Sequence, residues 1–91
     1  MNTGLHPKWN GRMLIPSIAA DREMAQEWLS LQEVAGRLET ADKCGKRRKE
    51  GILELCFQKG NRRFKIVLAE SFRYSDGEIV FLIIHLKSVS W

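Results

Sequence analysis

The sequence predicts an α+β fold: two N-terminal helices packed on a three-stranded antiparallel β-meander. Three observations carry that reading. Ile52–Gln58, Arg63–Phe72 and Glu78–Trp91 read as consecutive strands. The segments between them, Lys59-Gly60-Asn61-Arg62 and Tyr74-Ser75-Asp76-Gly77, hold residues that tolerate positive φ and so read as tight turns. Upstream, Ser30-Leu31-Gln32-Glu33 is a capping box that opens a helix.

The elements follow in chain order. Residues 1–16 read as an irregular arm, and residues 17–91 as one domain. Met1–Gly11 is polar and contains Gly4, Pro7 and Gly11, with Trp9 able to pin it to a core. Met13-Leu14-Ile15 ahead of Pro16 is a short extended piece, because the residue before proline is biased away from helix. Ser17 or Asp21 caps a first helix over about 17–28, where Ile18, Ala25, Trp28 and Leu29 recur at helical spacing and Met24 and Trp28 form an i, i+4 pair. The second helix spans about 31–40, with Leu31, Val34, Ala35 and Leu38 on one face. Gly36 inside it costs about 1 kcal/mol against alanine, which a close helix–sheet contact would explain.

In the sheet, Leu53, Leu55 and Phe57 alternate with Glu54, Cys56 and Gln58, and Phe64, Ile66 and Leu68 with Arg63, Lys65 and Val67. Ile79–Leu86 is apolar on both parities, as in a strand covered on both faces. That pattern calls for something beyond two short helices to shield the last strand. The arm with Trp9, a second copy of the chain and a different protein are the candidates, with Trp91 as an anchor.

Ninety-one residues suit a single domain with one modest core. The net charge of +4 is unevenly placed. Residues 1–42 carry four Lys/Arg and six Asp/Glu, whereas residues 43–91 carry eleven and five. The sheet half is therefore the basic half, which favours an acidic partner or nucleic acid over a neutral one. The plain alternative is a lysine-rich solvated surface.

Cys44 and Cys56 lie outside any CxxC or Cys/His cluster, so neither a metal site nor a cofactor is expected. Cys44 reads as an exposed thiol in a basic run and Cys56 as buried strand packing. Two free thiols imply a reducing, cytoplasmic setting. No run approaches the roughly 20 apolar residues that span a bilayer, and Met1–Arg12 lacks the apolar core of a signal peptide.

The stretch Ala19-Ala20-Asp21-Arg22-Glu23-Met24-Ala25-Gln26-Glu27-Trp28-Leu29-Ser30-Leu31-Gln32-Glu33-Val34 resembles the helical motif H-A-x-x-R-M-x-x-R-G-I-S-x-E-E-V. That motif belongs to small prokaryotic domains of unknown function related to BrnT-type and RelE-type ribonuclease toxins. Met24, Leu29, Ser30, Glu33 and Val34 agree in spacing, and the resemblance extends over roughly residues 18–91. The departures are chemical: the motif's histidine falls on Ala19 and its two arginines on Glu23 and Glu27. The resemblance implies an RNA-directed protein, either a metal-independent ribonuclease toxin or a non-catalytic RNA- or protein-binding module. A small structural homodimer is the third reading. Implied partners are RNA, an antitoxin, or a second copy joined through the sheet, with no role for a membrane.

Ribonucleases of the RelE kind position the RNA backbone so that the 2′-hydroxyl attacks the adjacent phosphate. That needs a general base, a general acid and cations. His85, Arg73 and Lys65 are the catalytic candidates, with Tyr74 and Lys87 beside them. His85 reads on the parity of Ile83 and Lys87, and its structural alternative is a histidine hydrogen-bonded to backbone. Lys46, Arg47, Arg48, Lys49, Arg62, Arg63 and Tyr74 are the nucleic-acid-binding candidates. The arginines suit phosphate forks and Tyr74 suits base stacking. With Glu23 and Glu27 where the motif is basic, RNA contact shifts to the Lys43–Lys49 run and the sheet. His6 reads as a surface residue, and Trp9, Trp28 and Trp91 as core or interface anchors.

Overall fold

Asn10 and Gly11 both adopt positive φ, at 53° and 76°. This pair turns the chain back on itself as a two-residue hairpin, because its twist matches that of the strands it joins. In the computed structural model, which describes residues 7–44, 51–73 and 76–89, the hairpin joins β1 (Lys8–Trp9) to β2 (Arg12–Pro16). Helices α1 (Ile18–Gln26) and α2 (Leu31–Leu38) follow. The chain then runs through β3 (Asp42–Lys43), β4 (Ile52–Lys59), β5 (Arg62–Arg73) and β6 (Glu78–Val89). These strands form one mixed sheet in the order β1-β2-β6-β5-β4-β3.

The expected three-stranded meander is therefore replaced by a larger sheet. Strands β4, β5 and β6 pair antiparallel in turn. However, β2 adds to the far edge of β6 in parallel, with Leu14 opposite Phe81 and Pro16 opposite Ile83. On the other flank β3 pairs with β4. The segment expected to be an irregular arm supplies β1 and β2, so it is part of the sheet. The physical reason is the Asn10-Gly11 turn, which gives a polar, proline-containing stretch a hairpin geometry.

Both helices sit on one face. Ser17 caps α1, its Oγ accepting from Ala20 N at 3.1 Å, and Ser30 caps α2, its Oγ accepting from Glu33 N at 3.0 Å. Ala20 and Met24 of α1, and Val34, Ala35 and Leu38 of α2, bury against Leu14, Leu55, Phe57, Phe64, Ile66, Leu68, Phe81, Ile83 and Leu86. Trp9 packs on this core from β1. Its ring centre is 5.2 Å from that of Phe81, and its indole N–H donates to Leu38 O at 3.1 Å. Gly36, expected at a close helix–sheet approach, is exposed and has open space around its Cα.

A β-bulge corrects the parity of the last strand. Val67 faces His85 whereas Leu68 faces Ile83, so Ile84 is extra in β6. The bulge puts Leu86 on the core face with Ile83 and Phe81, and sends His85 to the opposite face, away from Ile83. On that second face Val67 and Val80 are buried, and Leu82 is half-buried.

Beyond Pro16, β2 no longer covers the edge of β6, and α1 takes over with side chains. Ser17 N donates to Ile83 O at 2.9 Å, and Ser17 Oγ donates to Ile84 O at 3.2 Å. Glu23 Oε1 accepts from Leu86 N at 2.9 Å. A buried amide without a partner costs about 1–3 kcal/mol, so these contacts stand in for the missing strand.

The two cysteines are not free thiols. Cys44 and Cys56 form a disulfide, with Cα atoms 5.8 Å apart. The bond clips β3 to β4, and closing a loop of this size stabilises by about 3 kcal/mol. The argument from free thiols to a reducing compartment therefore no longer holds. Among the described residues no helix is long and apolar enough to cross a membrane.

Substitutions at Glu23 test the edge contact. Glu23→Gln keeps an acceptor for Leu86 N and should cost less than about 1 kcal/mol, whereas Glu23→Ala orphans that amide and should cost about 1–3 kcal/mol. Urea titration of both variants measures the difference, and equal costs would show that the carboxamide or carboxylate at this position does not hold the strand.

Candidate nucleic-acid interface

The face of the sheet opposite the helices brings Arg63, Lys65, His85 and Lys87 together. Alternation along β5 sets Arg63, Lys65 and Val67 on this face, and the register brings Lys87 opposite Lys65 and His85 opposite Val67. On the other flank of β5, Cys56 lies opposite Lys65 and Glu54 opposite Val67. Lys65, Val67, His85 and Lys87 line a shallow depression of about 130 Å3.

Two carboxylates organise this surface. The side chain of Glu54 is only 4% exposed, and its Oε1 lies 2.6 Å from Lys65 Nζ. The contact is an ion pair without the alignment of a good hydrogen bond. A carboxylate so deeply placed needs a cation beside it. Glu23 reaches the surface from α1: the Oε1 that accepts from Leu86 N also lies 3.6 Å from His85 Nδ1. His85 is half exposed and lies near this carboxylate without a hydrogen bond to it. Where the resembled motif has an arginine, this chain has an acid that holds the strand edge and sets a negative charge near the histidine.

The structure separates the three catalytic candidates. His85 and Lys65 share the depression, but Arg73 sits at the far end of β5. Val67, the partner of His85, is six residues before Arg73, about 20 Å along a strand. Arg73 is engaged there, pairing with Asp76 and donating to Met13 Sδ at 3.3 Å. The hydrogen bond from Arg73 holds the Asp76 carboxyl below the usual carboxylate range. Arg73 is therefore a fastener of the β5–β6 turn, remote from the histidine.

The binding candidates also divide. Arg62 and Arg63 point to opposite faces. Arg62 lies over the Phe64 ring, 5.2 Å from its centre, and pairs with Glu27 at 2.5 Å. Arg63 borders a second cavity of about 240 Å3, which Arg37, Thr40, Asp42, Cys56 and Gln58 also line. Lys46, Arg47, Arg48, Lys49 and Tyr74 lie outside the described residues, as do His6 and Trp91. Lys87 was the residue sequence reading placed only beside the main set. Its position opposite Lys65 follows from the bulge, which local sequence does not announce.

The chain matches no protein-family model, no curated protein and no solved structure.

The Glu54–Lys65 pair yields a sign-definite test. Lys65→Met removes the ammonium 2.6 Å from a buried carboxylate and should destabilise by about 3–5 kcal/mol. Adding Glu54→Gln to Lys65→Met should restore most of that loss. Thermal unfolding of the single and double variants reads it, and additive costs would show that the two groups do not depend on each other.

Proposed function

We propose that this chain is an RNA-directed binding module that uses the sheet face opposite its helices, as a non-catalytic protein of the BrnT/RelE-like kind. The observation that supports this most is the placement of Lys65 directly opposite Lys87 on neighbouring strands. Like charges in that position are destabilising. Glu54 neutralises Lys65, and Lys87 makes no ion pair among the described residues. A phosphate seated over the depression would offset the repulsion and accept from both ammonium groups. The resemblance of residues 18–91 to ribonuclease-related domains makes RNA the polyanion of choice. The Lys46–Lys49 run enters the proposal as charge only. A cytoplasmic location belongs to it through the RNA target, no longer through the cysteines.

A second reading, metal-independent RNA cleavage, is favoured by one observation: an imidazole with the Glu23 carboxylate nearby lies beside Lys65 and Lys87. In that reading His85 is the acid–base group, and Arg73 is too distant to serve. His85→Gln should then lower cleavage about 10²–10⁴-fold. Incubating a labelled single-stranded RNA with the parent and the variant checks this, and equal cleavage by both would return His85 to a structural role.

Binding is tested by fluorescence anisotropy with a labelled single-stranded RNA oligonucleotide over a salt series. Lys87→Ala should weaken binding and reduce the slope of log affinity against log salt by about 0.7, the loss of one phosphate contact. Arg22→Ala, on the exposed side of α1, should leave the slope unchanged. Absence of binding by the parent at low salt would refute the proposal.

A further inference from the structure

The end of α1 carries a residue that the local backbone does not favour. Leu29 N donates to Met24 O at 2.9 Å, and Trp28 N donates to Ala25 O at 3.2 Å. This is the Schellman closure of a helix, with Met24 and Leu29 both buried as its apolar contact. The residue at its turn must be left-handed and is usually glycine. Here it is Trp28, at φ 57°. A bulky side chain there is strained, and burial does not compensate, because Trp28 is 88% exposed. The sequence reading of a Met24–Trp28 pair therefore fails: Met24 enters the core and Trp28 leaves it.

Cations surround this corner. Lys59 Nζ donates to Trp28 O at 3.4 Å and lies 3.1 Å from Glu33 Oε2. Arg62 reaches Glu27, the residue before Trp28. Arg37 of α2 pairs with Glu33 as well, so three cations stand against the two carboxylates Glu27 and Glu33. An exposed indole among cations is the combination that single-stranded nucleic acid uses, with bases stacking on the ring and phosphates on the charges. We propose that Trp28 is a base-stacking platform for single-stranded RNA, with Lys59 and Arg62 contacting the adjoining phosphates. This rests on the RNA-binding reading, adds a contact on the helix side of the sheet, and names the strandedness of the target.

The test compares the parent with Trp28→Gly and Trp28→Phe, using a labelled single-stranded RNA oligonucleotide and inorganic polyphosphate as a competitor without bases. Trp28→Gly should melt no lower than the parent, because glycine suits the left-handed turn. It should bind the oligonucleotide at least about tenfold more weakly. Its affinity for polyphosphate and its salt slope should match the parent, since a stacking contact releases no counterions. Trp28→Phe should keep most of the affinity. RNA binding by Trp28→Gly equal to that of the parent would overturn the platform while leaving the RNA-binding reading intact. No RNA binding by the parent would overturn both. A lower melting temperature for Trp28→Gly would assign Trp28 to structure. Self-association of the parent that Trp28→Gly abolishes, with RNA binding unaffected, would assign it to a protein interface.

Discussion

The second edge of β6 is the constraint on which the rest of this fold depends. One edge of that strand is paired along its length by β5. The other edge belongs partly to β2, which stops at Pro16, and partly to the side chains of Ser17 and Glu23. A proline has no N–H to give and the chain must leave the sheet there, so the ladder needs a substitute. Helix α1 supplies it by starting at the point where β2 ends. Its cap residue satisfies Ile83 and Ile84, and a carboxylate further along the helix satisfies Leu86. The placement of α1, and hence the covered face of the sheet, follows from completing this edge.

Once the helices are fixed on one face, the other face collects the charge. The bulge at Ile84 matters here because it resets the parity of β6. Without it, Leu86 would leave the core and His85 would enter it. With it, Leu86 joins Ile66 and Leu68 beneath the helices, and His85 and Lys87 join Lys65. A single inserted residue thus makes the apolar side continuous and the basic side contiguous.

Much of the local structure was legible from residue types. Ser17 and Ser30 both cap their helices, although the Glu33 side chain of the expected capping box pairs with Lys59 and Arg37, and strands β4, β5 and β6 occupy the stretches whose alternation announced them. The N-terminal hairpin was equally legible in principle, since Asn10-Gly11 is a strong hairpin signal. It went unread because the strand before it holds only Lys8 and Trp9, too short to show a period. The parallel pairing of β2 with β6 joins residues nearly seventy positions apart, and no local pattern encodes it. The disulfide was hidden for a similar reason: Cys44 and Cys56 meet only because β3 folds against β4. Trp28 had a visible signal, because the aligned motif writes glycine where this chain has tryptophan.

The double duty of Glu23 constrains what His85 can do. The oxygen that faces the imidazole is the same one that accepts from Leu86 N. It cannot swing toward the histidine without orphaning a strand amide, at a cost of about 1–3 kcal/mol. The carboxylate nearest the histidine is therefore held in place by the fold. That arrangement sets a constant negative charge beside the imidazole and the two lysines. It is a harder setting for a proton relay, which needs partners free to adjust as charge moves. The carboxylate beside His85 thus serves the strand edge first, and its charge next to the imidazole follows from that.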